Sequence, residues 1–329
     1  MHVTILGGAG FLGTKLALRL AAEGAIGGRN ITGLTLLDQV AATPPAAPFP
    51  ITVMQAGLDD YEKLRRAMPD GTGPDSGNIV FHLAAIVSAQ AEADFHLGSR
   101  VNIEGTRNVL AAAAALKQPA RLVFTSSVAT YAGGQSARIN DGTRQVPANS
   151  YGAQKIIGEL MLHDHSRRGM IDGVSLRLPT VVVRPGRPNK AASSFASSIL
   201  REPFVHEDAS LPVPEDFALW IASPKTAVSW LLHAAALDGA ALGLDRAINP
   251  PGLTVTTGEM LAALARAGGD VARVKRVDDP DVFKVVGPWP AHFDSSRAQA
   301  LGFTTAPQID AVVAEFLAED LAATKALRA

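Results

Sequence analysis

No cysteine occurs among the 329 residues, which excludes disulfides, thiolate nucleophiles and Cys-ligated zinc or iron–sulfur clusters. Neither sign of charge is in excess. Thirty Lys and Arg stand against 31 Asp and Glu, a formal net charge of −1, so the chain offers no electrostatic footprint for nucleic acid or for an anionic membrane surface. No apolar run approaches the roughly 20 residues that a membrane-spanning helix needs. The opening stretch MHVTILGGAGFLG is apolar but short, and it lacks the basic start of a secretory signal. A cytoplasmic protein is expected, with neither nucleic acid nor membrane as partner. Metal-ligand spacing is also missing: His163 and His165 flank Asp164, but residues two apart on a helix do not share a face, and no H-E-x-x-H occurs. No metal is expected, and both histidines read as surface residues. No repeat of solenoid length is found, and helix propensity accounts for the alanine run at 111–115.

With 47% hydrophobic residues and 19% charged, the chain can bury a sizeable core. The pattern of that core is repetitive. A β-branched and aliphatic run, His2 to Leu6, meets glycines and then a helical pattern from Phe11 to Ala22. Further strand-like runs follow at Leu34–Leu37, Ile51–Met54, Ile79–Leu83, Leu122–Thr125 and Gly173–Leu178. They alternate with helical stretches such as Tyr61–Met68 and Glu104–Leu116. Such alternation predicts an α/β fold, a doubly wound parallel sheet covered by helices on both faces. From Val183 the composition turns to Pro, Arg, Asn and Ser. A helix at Lys225–Leu237 and a strand near Arg246–Asn249 then read as a return to the sheet. The expected organisation is a Rossmann domain of residues 1–182 and 218–250, with a smaller discontinuous C-terminal substrate lobe of residues 183–217 and 251–329.

Two short motifs carry the chemistry. Gly7, Gly10 and Gly13 are spaced G-x-x-G-x-x-G between the first strand and the first helix, with Phe11 and Leu12 opening that helix. A tight turn, a side-chain-free approach for a pyrophosphate and the amide donors of a helix N-terminus all meet there. Asp38 closes the second strand, where a carboxylate accepts both hydroxyls of an adenosine ribose and repels a 2′-phosphate. NAD rather than NADP is therefore the expected cofactor. The second motif is YGAQK, in which Tyr151 stands four residues before Lys155 in a chain with only three tyrosines. On a helix this spacing stacks the two side chains on one face.

Together these motifs resemble the extended short-chain dehydrogenase/reductase family, which includes sugar-nucleotide epimerases and dehydratases. The resemblance runs through the first half of the chain and also rests on His82-Leu83-Ala84-Ala85, Val101-Asn102 and Phe124-Thr125-Ser126-Ser127. It implies that Tyr151 and Lys155 are catalytic and that a hydroxyl four residues before Tyr131 completes the trio, Ser127 with Ser126 as the alternative. It also places Leu58, Leu83, Ala84, Ala85 and Asn102 on the cofactor, together with Tyr151 and Lys155. Family members usually carry an aspartate directly after the third strand. Gly57 falls there, so Asp59 or Asp60 reads as a helix cap. A free phenol titrates at about 10. The Lys155 ammonium and the positive nicotinamide ring are expected to favour its phenolate, the form that can take a hydroxyl proton.

The second half from Leu176 to Lys190, continuing into AASSF, looks like the branch of that family that oxidises the C2 hydroxyl of a four-carbon sugar acid, D-erythronate, with NAD. Thr180 stands where sugar-nucleotide enzymes generally have Asn, against the alternative of an epimerase or dehydratase. A sugar acid requires a cation for its carboxylate and several hydroxyl partners. Arg184, Arg187 and Lys190 are the cationic candidates, with Asn189, Ser193, Ser88, Ser126 and Ser127 as polar company. His292 reads as a packed or capping residue. By the same resemblance the chain pairs as a homodimer through the helix bearing YGAQK.

Overall fold

The computed structural model describes residues 1–71, 77–134, 136–187 and 191–328. Its centre is a seven-stranded sheet: β1 (His2–Leu6), β2 (Gly33–Asp38), β3 (Ile51–Gln55), β4 (Asn78–His82), β5 (Arg121–Ser127), β6 (Asp172–Leu178) and β7 (Ala247–Ile248). The strands run in the order β7-β6-β5-β4-β1-β2-β3 and every pairing is parallel. All five residues of β4 are buried, whereas the edge strand β3 alternates between half-buried and exposed. That contrast follows from helices covering both faces of the centre but not the sheet's margin. Each strand read from the sequence has a counterpart here, the last being the short β7.

The helix at Phe11–Glu23 begins directly at the glycine turn and buries Leu16 and Leu20 against the sheet; Gly24, in the left-handed region at φ 67°, ends it. The stretch Glu104–Leu116, read as one α-helix, is built differently. Ser99–Gly105 winds as a π-helix, and the α-helix proper is Thr106–Ala114. The wider π turn lets the Asn102 amide reach out of the helix, a contact that periodicity does not encode.

A second core lies beside the first, formed by Val182, Val183, Leu200, Met260, Val286 and Phe316 among others. It packs on a three-stranded sheet in which Ala218–Ala222 pairs with Thr180–Val181 and with Leu253–Thr256. The return expected at residue 218 comes later in the packing. Leu219 and Ile221 belong to the second core, and the chain rejoins the first at Ala222 and the helix Pro224–Ala236. Nor does all of 251–329 stay in the smaller unit, because Ala298, Phe303 and Ala306 pack into the first core. Trp230 ties this segment down by donating its indole N–H to the Thr304 carbonyl at 2.8 Å. Among the described residues no helix is long and apolar enough to cross a membrane.

Candidate active site

The carboxyl ends of β1 and β4 lie side by side where the strand order reverses, the point at which an open parallel sheet leaves a crevice. A cavity of about 350 Å³ fills it. One side of its wall is Gly7, Gly10, Phe11, Leu12, Gly13, Asp38, Leu58, Leu83, Ala84 and Ala85. The other side is Ser88, Ser126, Ser127, Tyr151, Lys155, Thr180, Arg184 and Ser193. The fold thus collects into one cavity most of the residues singled out from the sequence, although they span almost 190 positions of chain.

The glycine turn is steric in origin. Gly7 sits at φ +94°, and a Cβ there would lie 2.8 Å from the Ala84 nitrogen; a Cβ on Gly13 would lie 2.1 Å from the Gly7 carbonyl oxygen. Strand end, loop and helix start can approach this closely only without side chains. Asp38 is fixed at the same end: the Ala9 amide donates to its Oδ2 at 3.0 Å. A bare floor, a helix N-terminus and a braced carboxylate at this spacing fit a dinucleotide. Asp60, not Asp59, caps the helix Tyr61–Ala67 by accepting from the Lys63 amide at 3.0 Å. Leu58, between them and the sheet, lines the cavity.

At the other end the helix Ser150–Arg167 is started by Asn149, whose side chain accepts from the Gly152 amide. Tyr151, Lys155 and Glu159 follow at four-residue steps along its inner face, and Lys155 and Glu159 are buried. Ser127 and Tyr151 line the same cavity, and the Ser127 hydroxyl favours the ionised phenol. The Lys155 Nζ lies 5.5 Å from the Tyr151 ring centroid and donates to the Thr125 carbonyl at 2.7 Å.

The expected depression of the phenol's pKa by Lys155 is not what this environment produces. Burial pushes Tyr151 up to about 12; the charge of Arg184 and the Ser127 hydroxyl pull in the opposite direction. Lys155 is pulled down to about 7 by its own burial, against the attraction of Glu159. The cation whose charge favours the phenolate here is Arg184, which follows Tyr151 by 33 residues in the sequence and lines the same cavity. Its guanidinium also lies 5.5 Å from the Phe11 ring and donates to the Val181 carbonyl at 3.2 Å.

Two expected site residues fall elsewhere. Asn102 does not line the cavity; its amide grips both backbone groups of Ile86, at 2.8 and 2.9 Å, and donates to Gln154 at 2.7 Å. It braces the loop after β4 instead of facing it. Arg187 is exposed and donates to the Leu327 carbonyl at 3.4 Å, outside the cavity wall. Asn189 and Lys190 lie outside the described residues. Ser126, although in the wall, donates to Glu159, which also holds Arg177 at 2.7 Å.

That Glu159–Arg177 pair was not foreseen, though a glutamate four residues beyond Lys155 on the same buried stripe was a readable signal. Trp289 was missed as well. It lines the cavity from the second half of the chain, while His292 of the same stretch is exposed and outside the wall.

Residues 3–213 match the model of the NAD dependent epimerase/dehydratase family. Over 326 residues the chain is 45% identical to D-erythronate dehydrogenase of Cupriavidus necator, covering 96% of this chain and 98% of that protein. It is 38% identical to the D-erythronate dehydrogenase of Haemophilus influenzae, covering 98% and 100%. A solved structure described as the nucleoside-diphosphate-sugar epimerase from Agrobacterium tumefaciens superimposes with a TM-score of 0.88 at 40% identity, covering 98% of this chain and 95% of that one. The chain belongs to the NAD-dependent epimerase/dehydratase family. Within it the chain is an oxidoreductase with NAD as cofactor.

Proposed function

We propose that this enzyme oxidises the C2 hydroxyl of a small sugar acid, with D-erythronate as substrate and its 2-oxo acid, 2-oxo-tetronate, as product. The observation that carries this reading is the proximity of Arg184 to Tyr151 in one cavity, close enough for the guanidinium to act on the phenol's pKa. In a 2-hydroxy acid the carbon bearing the hydroxyl is bonded directly to the carboxylate. A cation beside the base therefore selects that hydroxyl over those further along the chain. The names of the Cupriavidus and Haemophilus relatives support the same substrate.

In this reading Tyr151 takes the C2 hydroxyl proton and Ser127 holds the same oxygen by a hydrogen bond. Lys155, fixed by Thr125, orients the nicotinamide ribose; Gly7, Gly10, Phe11, Leu12 and Gly13 hold the pyrophosphate and Asp38 the adenosine ribose. Leu58 would contact the adenine, and Leu83, Ala84 and Ala85, which line the same cavity, would also help to hold the cofactor. When bound, NAD supplies the hydride acceptor and a positive ring that brings the phenol's pKa down toward the working range. Arg184 anchors the carboxylate, and Ser88, Thr180 and Ser193 are the partners for the remaining hydroxyls. Arg187 and Asn102 act from outside the cavity. A cytoplasmic location goes with this reading, and so does a homodimer through the helix Ser150–Arg167. Ile157 and Leu160 on that helix, and Phe95 nearby in the chain, are exposed apolar side chains, with Leu160 at 65%.

The test is a panel of four-, five- and six-carbon sugar acids with NAD, followed by NADH absorbance, for the wild type and Tyr151→Phe. Turnover of the four-carbon acid and a loss of about 10²- to 10⁴-fold in kcat on removal of the phenol are expected. A second reading, nucleotide-sugar epimerisation, is favoured by the description of the Agrobacterium structure. It predicts interconversion of a nucleotide-sugar with no net NADH, and that result would displace the first.

A further inference from the structure

The Arg201 side chain is 1% exposed, and a buried guanidinium is costly unless its donors are answered. Its Nε and Nη2 donate to the Glu202 carboxylate at 2.7 and 2.6 Å. Its Nη1 reaches the backbone carbonyl of Arg184 at 2.5 Å. The same carboxylate faces a second guanidinium, that of Arg328, at 3.4 Å, and Arg328 in turn donates to the Gly186 carbonyl at 2.8 Å. The two amides of this segment are held as well. Arg184 N–H donates to Ser197 Oγ at 3.0 Å and Gly186 N–H to Thr324 Oγ1 at 3.2 Å. All four backbone polar groups of Arg184 and Gly186 therefore end on side chains: Ser197 and Arg201 of the helix Ser194–Arg201, Thr324 of the helix Leu321–Ala326, and Arg328 two residues beyond it. A turn that merely joined two elements would leave these groups to water.

We propose that Arg201, Glu202 and Arg328 form a positioning clamp that sets the Arg184 guanidinium against the substrate carboxylate, so that the chain's last helix governs substrate recognition without touching substrate. The clamp rests on the reading of Arg184 as the carboxylate anchor. The two guanidinium groups meet at the Glu202 carboxylate, Arg328 also pairing with Glu207, and each spends a donor on a backbone carbonyl of the anchor's segment, Arg201 on Arg184 and Arg328 on Gly186. Displacement of such an anchor by about 1 Å is enough to cost up to about 100-fold in productive geometry.

The experiment compares the wild type, Arg328→Ala, Arg184→Ala and the double variant, with Arg328→Lys as the milder change should the alanine fold poorly. Steady-state rates with the four-carbon acid at saturating NAD, NAD affinity by fluorescence titration and Tm are measured for each. Arg328→Ala is expected to raise KM for the acid about tenfold while NAD affinity stays at its wild-type value, to lower Tm modestly because Glu202 and the Gly186 carbonyl lose a partner, and to add nothing to KM in the Arg184→Ala background. An unchanged KM, an equal KM rise on top of Arg184→Ala, or a KM rise accompanied by parallel loss of Tm and NAD binding would each overturn the clamp. Absence of turnover by the wild type removes the anchor reading itself, and the clamp with it.

Discussion

At the scale of single residues the site is a contest between burial and charge at one phenol. Burial outweighs the opposing charge of Arg184 and the influence of Ser127, and Tyr151 is left raised to about 12. The phenol works as a base in its ionised form, so activity climbs as pH passes the operative pKa. Replacing Arg184 by leucine removes a cation from the phenol's surroundings and raises that pKa. The rising limb of kcat/KM against pH is then expected to move to higher pH, beyond any rise in KM for the acid. A limb left in place by Arg184→Leu would show that the guanidinium acts on substrate alone. The sequence carried half of this picture. The spacing of Tyr151 and Lys155 was legible because four residues make nearly one helical turn. The approach of Arg184 was not, because it depends on how the segment after β6 packs on the helix Ser194–Arg201, and no local pattern encodes that distance.

Secondary-structure elements were legible where period and punctuation agree. The glycine turn between β1 and the helix Phe11–Glu23 follows from the absence of side chains at Gly7 and Gly13, and its geometry matches what the spacing implies. The π-helix Ser99–Gly105 was invisible for the opposite reason: its pattern is that of an ordinary helix, and only a tertiary partner, the Ile86 peptide, distinguishes it. Asn102 occupies that turn and satisfies one donor and one acceptor of Ile86 at once. Asn102→Ala leaves both groups without their partner, a loss of about 1–3 kcal/mol. It also frees the loop whose Leu83, Ala84 and Ala85 line the cavity. Chemical denaturation is expected to register the stability loss, and titration with NAD a weaker affinity. If neither quantity changes, the side chain has no bracing role.

For the whole molecule, several groups buried around the sheet tie stability to pH in one direction over most of the range. His82 is held down to about 3 by burial and the nearby Lys155, and His2 to about 4 by burial and the N-terminal amine. An unfolded histidine titrates at about 6.5. Below that pH the unfolded chain binds protons that the folded one refuses, so stability falls as acid is added toward pH 4. Lys155 extends the trend upward. Its folded pKa of about 7 lies below the ordinary lysine value of about 10.5, so between these limits the unfolded state again binds more protons and stability rises with pH. Tyr151 turns the curve over, since above about 10 the unfolded phenol ionises while the buried one, near 12, keeps its proton. Unliganded protein is therefore expected to show a higher Tm at pH 9 than at pH 7, with the gain lost in Lys155→Met, which fills the same space with no proton to release. The acid limb below pH 6.5 should survive in that variant, because it belongs to the histidines. A pH 7 to 9 rise that persists without Lys155 would assign the gain to other groups and place the lysine, charged, in a better solvated site than its burial implies.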